Sequence, residues 1–164
     1  MNENGISLGT VSTGTVPTLP PNAFPRILVV DDDAEIRRMT AAMLLGAGFA
    51  VHIASDGAAA WDALQLHRYD LMVTDNSMPK VTGMELLQML HGAGMVLPVI
   101  MATGLLPQEE FIRAPLLRPA VTLLKPYSHS QLLATVNALV RGAASNGEQI
   151  EPMPNRPDQS PVIG

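Results

Sequence analysis

Tyr69 to Pro79, YDLMVTDNSMP, is the stretch from which the rest of the chain can be placed. Its apolar run Leu71 to Val73 has strand length and leads into Asp75, and Met78-Pro79 then forbids a regular ladder because proline lacks a backbone donor. An aspartate therefore stands at the carboxyl end of a buried strand. That edge is where open α/β sheets place ligands.

Three other segments repeat the arrangement with different end groups. Ile27 to Val30 runs into Asp31, Asp32 and Asp33, Val99 to Ala102 into Thr103, and Val121 to Leu124 into Lys125. Between them the spacing predicts helices. Asp33 can cap a helix with Ile36, Met39, Met43 and Leu44 on its apolar positions, ended by Gly46 or Gly48. Val51 and Ile53 alternate with polar neighbours as an edge-like second strand, and Asp56-Gly57 turns into a helix carrying Ala60, Trp61 and Leu64. The third strand is read as Tyr69 to Thr74. Thr82 and Glu85 have capping-box spacing ahead of Met84, Leu87 and Leu90. The fourth strand is read as Leu97 to Thr103, and Pro115 limits the next helix to a short piece between Pro107 and Ala114. Ser128 and Gln131 repeat the capping spacing before Leu132, Val136, Leu139 and Val140. Five strands alternating with five helices predict an α/β fold with a doubly wound parallel sheet, since each crossover is right-handed.

All four end groups then open on one rim. Carboxylates gathered there repel one another by about 4 kcal/mol per pair at ~4 Å and an effective dielectric of 20. A hard divalent cation with oxygen ligands relieves this, and Mg2+ takes one or two carboxylates while keeping several waters.

Composition narrows the class. Eight of the fourteen prolines lie in 1–25 or 142–164, and these ends lack apolar periodicity, so they are expected to be disordered tails around one domain at 26–141, with no output domain. Cysteine is absent, so disulfides contribute nothing. No apolar run reaches the ~18 residues of a membrane span, and the start, MNENGISLGT, lacks a basic signal-peptide region. A cytoplasmic protein without membrane contact is the expectation. The net charge of -5, with no basic stripe, argues against direct nucleic-acid binding.

Taken together, VVDDD, VTDNSMP, IMATG and LLKPY resemble, in order and separation, the receiver domain of two-component response regulators. The resemblance spans about Arg26 to Arg141. It implies a flavodoxin-like receiver fold with strand order 2-1-3-4-5, in which strands one and three flank the topological switch point. It implies that Asp75 accepts the phosphoryl group; that Asp32, Asp75 and the Ser77 carbonyl bind Mg2+ directly, with Asp31 acting through water; and that Lys125 and Thr103 face the phosphoryl oxygens. Gly104 would leave room for the acyl phosphate, and Lys125-Pro126 would be a cis peptide that aims the lysine. The implied donor is a sensor histidine kinase or a histidine phosphotransfer protein, and the implied output an unknown downstream protein. Such a module is not an enzyme beyond its own phosphorylation and dephosphorylation.

Two places depart from the family pattern. Thr122 stands where receivers that switch by rotating a ring carry an aromatic, and Pro115 and Pro119 cut the region after the fourth strand. Two other functions stay open: a haloacid-dehalogenase-type phosphatase using Asp31, whose D-x-D is present but whose later acidic motif is not, and a degenerate receiver used only for docking. Blander assignments hold elsewhere. Asp33 is a helix cap, the ten methionines fill core gaps, and His52, His67, His91 and His129 are scattered without metal-ligand spacing.

Overall fold

A computed structural model describes residues 24–146 of the protein. Strands β1 (Arg26–Val30), β2 (Ala50–Ala54), β3 (Leu71–Thr74), β4 (Val99–Thr103) and β5 (Val121–Leu124) alternate with helices α1 (Ala34–Gly46), α2 (Gly57–Leu66), α3 (Gly83–Gly92), α4 (Gln108–Arg113) and α5 (His129–Asn146). All four strand pairs are parallel and the order is β2-β1-β3-β4-β5, as expected.

Alternation along the strands sorts the core into two layers. Leu28, Val30, Met72, Val99 and Met101 point to one face, where Ala60 and Leu64 of α2 and Met84, Leu86, Leu87 and Leu90 of α3 cover them. Ile27, Val29, Leu71, Val73, Ile100 and Ala102 point to the other, against Leu44 of α1 and Leu132 and Val136 of α5. The three inner strands are thus buried on both faces, which is why they read as continuous apolar runs. At the edges, Ile53 of β2 and Leu124 of β5 are half exposed.

The helix starts follow the expected chemistry. The Asp33 carboxylate accepts from the Glu35 and Ile36 N–H groups, and Asp56 accepts from Ala59. Thr82 and Glu85 form a full capping box, while Ser128 and Gln131 exchange the equivalent two bonds. Helix α4 has only six residues, lacks a side-chain cap, and stops before Pro115.

Several boundaries and faces differ from expectation. Strand β3 begins at Leu71, because the Asp70 side chain accepts from the Arg26 N–H and closes the ladder there. Strand β4 begins at Val99; Pro98 has no N–H to donate, and its carbonyl serves Met72 instead. Met39, expected on the inner face of α1, is 58% exposed, and the buried stripe runs through Thr40, Ala41 and Leu44. Helix α5 continues through Gly142 to Asn146, across the expected boundary at 141. Apart from Phe24 and Pro25, the rest of the two expected tails lies outside the described residues.

Candidate functional site

Register brings the end groups together. Val30 pairs with Thr74 across β1 and β3, so the next residues, Asp31 and Asp75, leave the sheet side by side, tied by a bond from the Asp75 N–H to the Val30 carbonyl. On the other side of β3, Thr103 of β4 pairs with Leu124, and the Lys125 N–H donates to the Thr103 carbonyl. Asp31 (6% exposed), Asp75 (7%) and Thr103 (0%) are buried at this rim.

Lys125 joins the two acids. Its Nζ lies 3.1 Å from Asp31 Oδ2 and 3.4 Å from Asp75 Oδ1. Each carboxylate divides its oxygens in the same way: Asp31 Oδ1 accepts from the Asp33 N–H at 2.9 Å, and Asp75 Oδ2 from the Ser77 N–H at 3.0 Å. One oxygen fixes the acid's own loop and the other holds the lysine. Burial by itself would lower the Lys125 pKa; the hydrogen bond and charge of Asp31, with Asp75 adding to them, outweigh it, and the ammonium is held above its ordinary value. The Lys125-Pro126 peptide is cis.

The Thr103 hydroxyl donates to the Leu105 carbonyl at 3.1 Å, so it is engaged within its own loop. Gly104 is exposed, and a Cβ there would meet nothing within 4 Å, which leaves the mouth open beside the threonine. Asp32 and Ser77 are exposed at the same rim, and among the described residues no hydrogen bond or ion pair engages the Asp32 carboxylate. The structure therefore joins Asp31, Asp75 and Lys125 directly and leaves Asp32 facing solvent.

Among the described residues, no group of three His, Cys, Asp or Glu side chains is gathered so as to hold a metal by itself. Mg2+ does not need such a group, since it takes one or two carboxylates, with a carbonyl, waters and phosphate oxygens completing its shell. The donors at this rim are all oxygen, hard ligands for a hard cation, and they fit that ion.

Three residues beside the site make contacts that the sequence pattern did not show. Arg37 of α1 reaches back so that Nη1 donates to the Asp31 carbonyl at 2.6 Å and the Asp32 carbonyl at 3.4 Å, clamping the acidic loop. Only its helical position, one turn beyond the cap, hinted at this. Tyr127 lies close enough to Lys125 to feel its charge; its phenol is raised chiefly by burial, against the lowering effect of that ammonium. Asn76 caps α3 from outside it, with Oδ1 accepting from the Met84 N–H at 3.0 Å.

Away from the rim, two of the histidines expected to be scattered meet. The rings of His52, His67 and Tyr69 pack edge to face with centroids 5.3–6.4 Å apart, and His52 Nδ1 is 2.8 Å from the Tyr69 hydroxyl. The strand β2 and the segment after α2 converge there, a contact no linear spacing displays.

Residues 27–137 match the family model described as the response regulator receiver domain. Over 116 residues, 71% of this chain, it is 33% identical to the probable transcriptional regulatory protein SilR of Salmonella typhimurium and 35% identical to the response regulator MprA of Mycobacterium tuberculosis. These alignments cover 51% and 50% of the relatives, so the chain spans about half the length of the curated relatives it matches. Among solved structures, the receiver domain of Francisella response regulator 1452 is 30% identical, with a TM-score of 0.66 over 72% of this chain and 98% of that one. The chemotaxis response regulator CheY4 of Vibrio cholerae is 29% identical, with a TM-score of 0.64 over 71% and 98%.

Proposed function

This chain belongs to the response regulator receiver domain family, and from that premise we propose that it accepts a phosphoryl group on Asp75 from a phosphohistidine and signals by changing a protein-binding surface. The donor would be a sensor histidine kinase or a histidine phosphotransfer protein. In the transfer, an Asp75 carboxylate oxygen forms a bond to phosphorus as the phosphorus–nitrogen bond breaks; the electron pair stays on the imidazole nitrogen, and the product is an aspartyl phosphate. Hydrolysis of that acyl phosphate returns the carboxylate and inorganic phosphate.

The residues of the rim divide the work. Asp31, Asp32, Asp75 and the Ser77 carbonyl would hold Mg2+, which when bound supplies charge neutralisation for the carboxylates and the phosphoryl oxygens. Lys125, whose ammonium lies 3.4 Å from the Asp75 carboxylate, would face the phosphoryl oxygens as negative charge spreads over them. The Thr103 hydroxyl would leave the Leu105 carbonyl for a phosphoryl oxygen, and the loop after β4 would register the change. Gly104 keeps the approach open, and Pro126 follows the lysine at the edge of the mouth.

The observation that supports this best is the Lys125 ammonium lying 3.1 Å from one buried acid and 3.4 Å from the other, at the carboxyl edge of the sheet. The matched region is about half of each relative named as a regulator, and their function as whole proteins bears on this chain only through that half. The output proposed here is a protein partner, not DNA. Among the described residues no helix is long and apolar enough to cross a membrane.

Incubation with acetyl phosphate and Mg2+, followed by intact-protein mass measurement, tests the assignment. One phosphoryl group should be gained by the unaltered protein and none by Asp75→Asn. A phosphoryl group that persists in Asp75→Asn and disappears in Asp31→Asn would instead make Asp31 the nucleophile of a phosphatase-type reaction.

A further inference from the structure

The residue after Asp75 has two jobs, one done by its backbone carbonyl and one that only its side chain makes possible. Helix α3 begins with N–H groups that have no partner inside the helix. Glu85 N–H goes to Thr82 Oγ1 at 3.1 Å and Leu86 N–H to the Thr82 carbonyl at 2.9 Å, the ordinary cap. The Gly83 and Met84 N–H groups go instead to Asn76, the first to its carbonyl at 3.1 Å and the second to its side-chain Oδ1 at 3.0 Å. The same Asn76 carbonyl also accepts from the Met78 N–H. Asn76 therefore stitches the loop that carries Asp75 to the first turn of α3.

That turn is a firm reference point. Met84, Leu86, Leu87 and Leu90 bury α3 in the core, and Gly83 sits so close to the loop that a Cβ on it would run into the Asp75 carbonyl oxygen and reach Asn76 Cα at 3.0 Å. The side chain of Asn76 thus spans a contact already made by the backbone. An apolar residue at 76 would leave the part-buried Met84 N–H without its partner, and the loop or the helix turn would shift to find another.

We propose that Asn76 is a positioning residue for phosphorylation of Asp75: through Met84 it fixes the loop that aims the acceptor carboxylate at the incoming phosphorus. This rests on Asp75 being the acceptor. Alignment of reacting groups governs the rate of the step after the donor binds. Loss of the stitch should therefore lower the saturating rate and leave the half-saturating donor concentration unchanged.

The test compares phosphorylation by acetyl phosphate, with Mg2+ in excess, for the unaltered protein, Asn76→Ala, Asn76→Asp and Thr82→Ala. The saturating rate of Asn76→Ala should fall about tenfold at constant half-saturation. Asn76→Asp, which keeps an acceptor at the helix start, should recover most of the rate. Thr82→Ala removes the neighbouring cap of the same turn and should stay within about twofold of the unaltered protein. Hydrogen exchange at the Met84 amide should quicken in Asn76→Ala and not in Asn76→Asp. If Asn76→Ala does not fold, Asn76→Gln, whose amide oxygen is carried one methylene too far, makes the same comparison. Equal rates for Asn76→Ala and the unaltered protein overturn the proposal. So does an equal loss in Thr82→Ala, which would make the effect one of helix stability. Absence of phosphorylation in the unaltered protein would remove the acceptor assignment itself, and the positioning role with it.

Discussion

Gly83→Ala should disable phosphorylation of Asp75 without unfolding the protein. The alanine Cβ would collide with the Asp75 carbonyl oxygen and also lie 3.0 Å from Asn76 Cα and 3.2 Å from the Asp75 carbonyl carbon. All three are backbone atoms, so no side-chain rotation relieves the clash. Reaching ordinary contact distances of 3.5–4.0 Å requires a relative shift of about 1 Å between the loop and α3. Overpacking of this kind costs about 1–3 kcal/mol, and replacing a glycine inside a helix returns up to about 1 kcal/mol. The net loss, about 0–3 kcal/mol by these two terms, leaves a folded protein. A misplacement of about 1 Å at a reacting group can cost on the order of 100-fold in rate. The assay is the saturating rate of Asp75 phosphorylation by acetyl phosphate, run beside a urea melt. Gly92→Ala is the control: it makes the same change on the same helix where a Cβ meets nothing within 4 Å, and it should leave the rate unaltered. A folded Gly83→Ala protein phosphorylated at the rate of Gly92→Ala would refute the inference that the α3 turn sets the position of Asp75.

Two pH dependences follow from the shifted groups. Lys125 is raised above its ordinary 10.5 in the fold, so the unfolded chain loses this proton first; its pairing with Asp31 and Asp75 stabilises fully below pH 10.5 and is lost as pH climbs through the higher folded value. The stability difference between the unaltered protein and Lys125→Met, from urea melts, should be constant up to about pH 10 and shrink above it; Tyr69 and Tyr127, whose phenols burial also raises, titrate in the same range, so the comparison is made as a difference between the two proteins. His52 is shifted the opposite way, lowered below 6.5 first by burial, then by Arg26 and His67. For a base with a depressed pKa, the unfolded chain takes up the proton first, so stability is complete above pH 6.5 and declines as pH falls toward the folded value. His52→Gln should flatten that acid limb of the melting-temperature profile, and an unchanged limb would show that another group carries it.

Local chemistry made much of this molecule legible in advance. Asp33, Asp56, Thr82 with Glu85, and Ser128 with Gln131 start helices for reasons that act within four residues, and they do so in the structure. The buried strands were readable because both faces are covered, so no polar alternation interrupts Leu71 to Val73 or Val99 to Ala102. Whatever depends on rotation about a helix axis was less visible. Ile36, Met39 and Met43 have respectable spacing, yet α1 turns Thr40 and Ala41 inward and leaves Met39 58% exposed. Side-chain contacts beyond the capping pattern were scarcely visible. The clamp from Arg37 to two backbone carbonyls, the cap that Asn76 lends to α3, and the His52–His67–Tyr69 cluster each need the fold before the partners can be named. The rim residues were an intermediate case: their order along the chain pointed to a shared edge, but the division of Lys125 between Asp31 and Asp75, with Asp32 outside it, is a matter of side-chain geometry.

The resting rim limits how strongly a phosphoryl group on Asp75 could drive the loop after β4. Three of the donors at the rim are already engaged: Lys125 is bonded to two acids, the Ser77 N–H to Asp75, and the Thr103 hydroxyl to Leu105. A phosphoryl oxygen can win the hydroxyl only by the difference between the new bond and the old one. A neutral hydrogen bond contributes about 0.5–1.5 kcal/mol and one to a charged acceptor about 1.5–3 kcal/mol, so the exchange is worth on the order of 1–2 kcal/mol, roughly a tenfold change in population. Inverting an equilibrium from 1:99 to 99:1 takes about 5.5 kcal/mol. The remainder has to come from packing that differs between the two loop positions. An aromatic ring moving from solvent into the core could supply it, but the residue there is Thr122, and Leu105, 78% exposed, is a large apolar side chain that could gain burial on the residue whose carbonyl holds the hydroxyl. Fully burying a leucine contributes about 1.5–3 kcal/mol. The sum of hydroxyl exchange and Leu105 burial approaches the required figure only at the upper end of both terms, so a graded shift of the Leu105–Leu106 loop, completed by a binding partner that covers Leu105, is the output these energies favour.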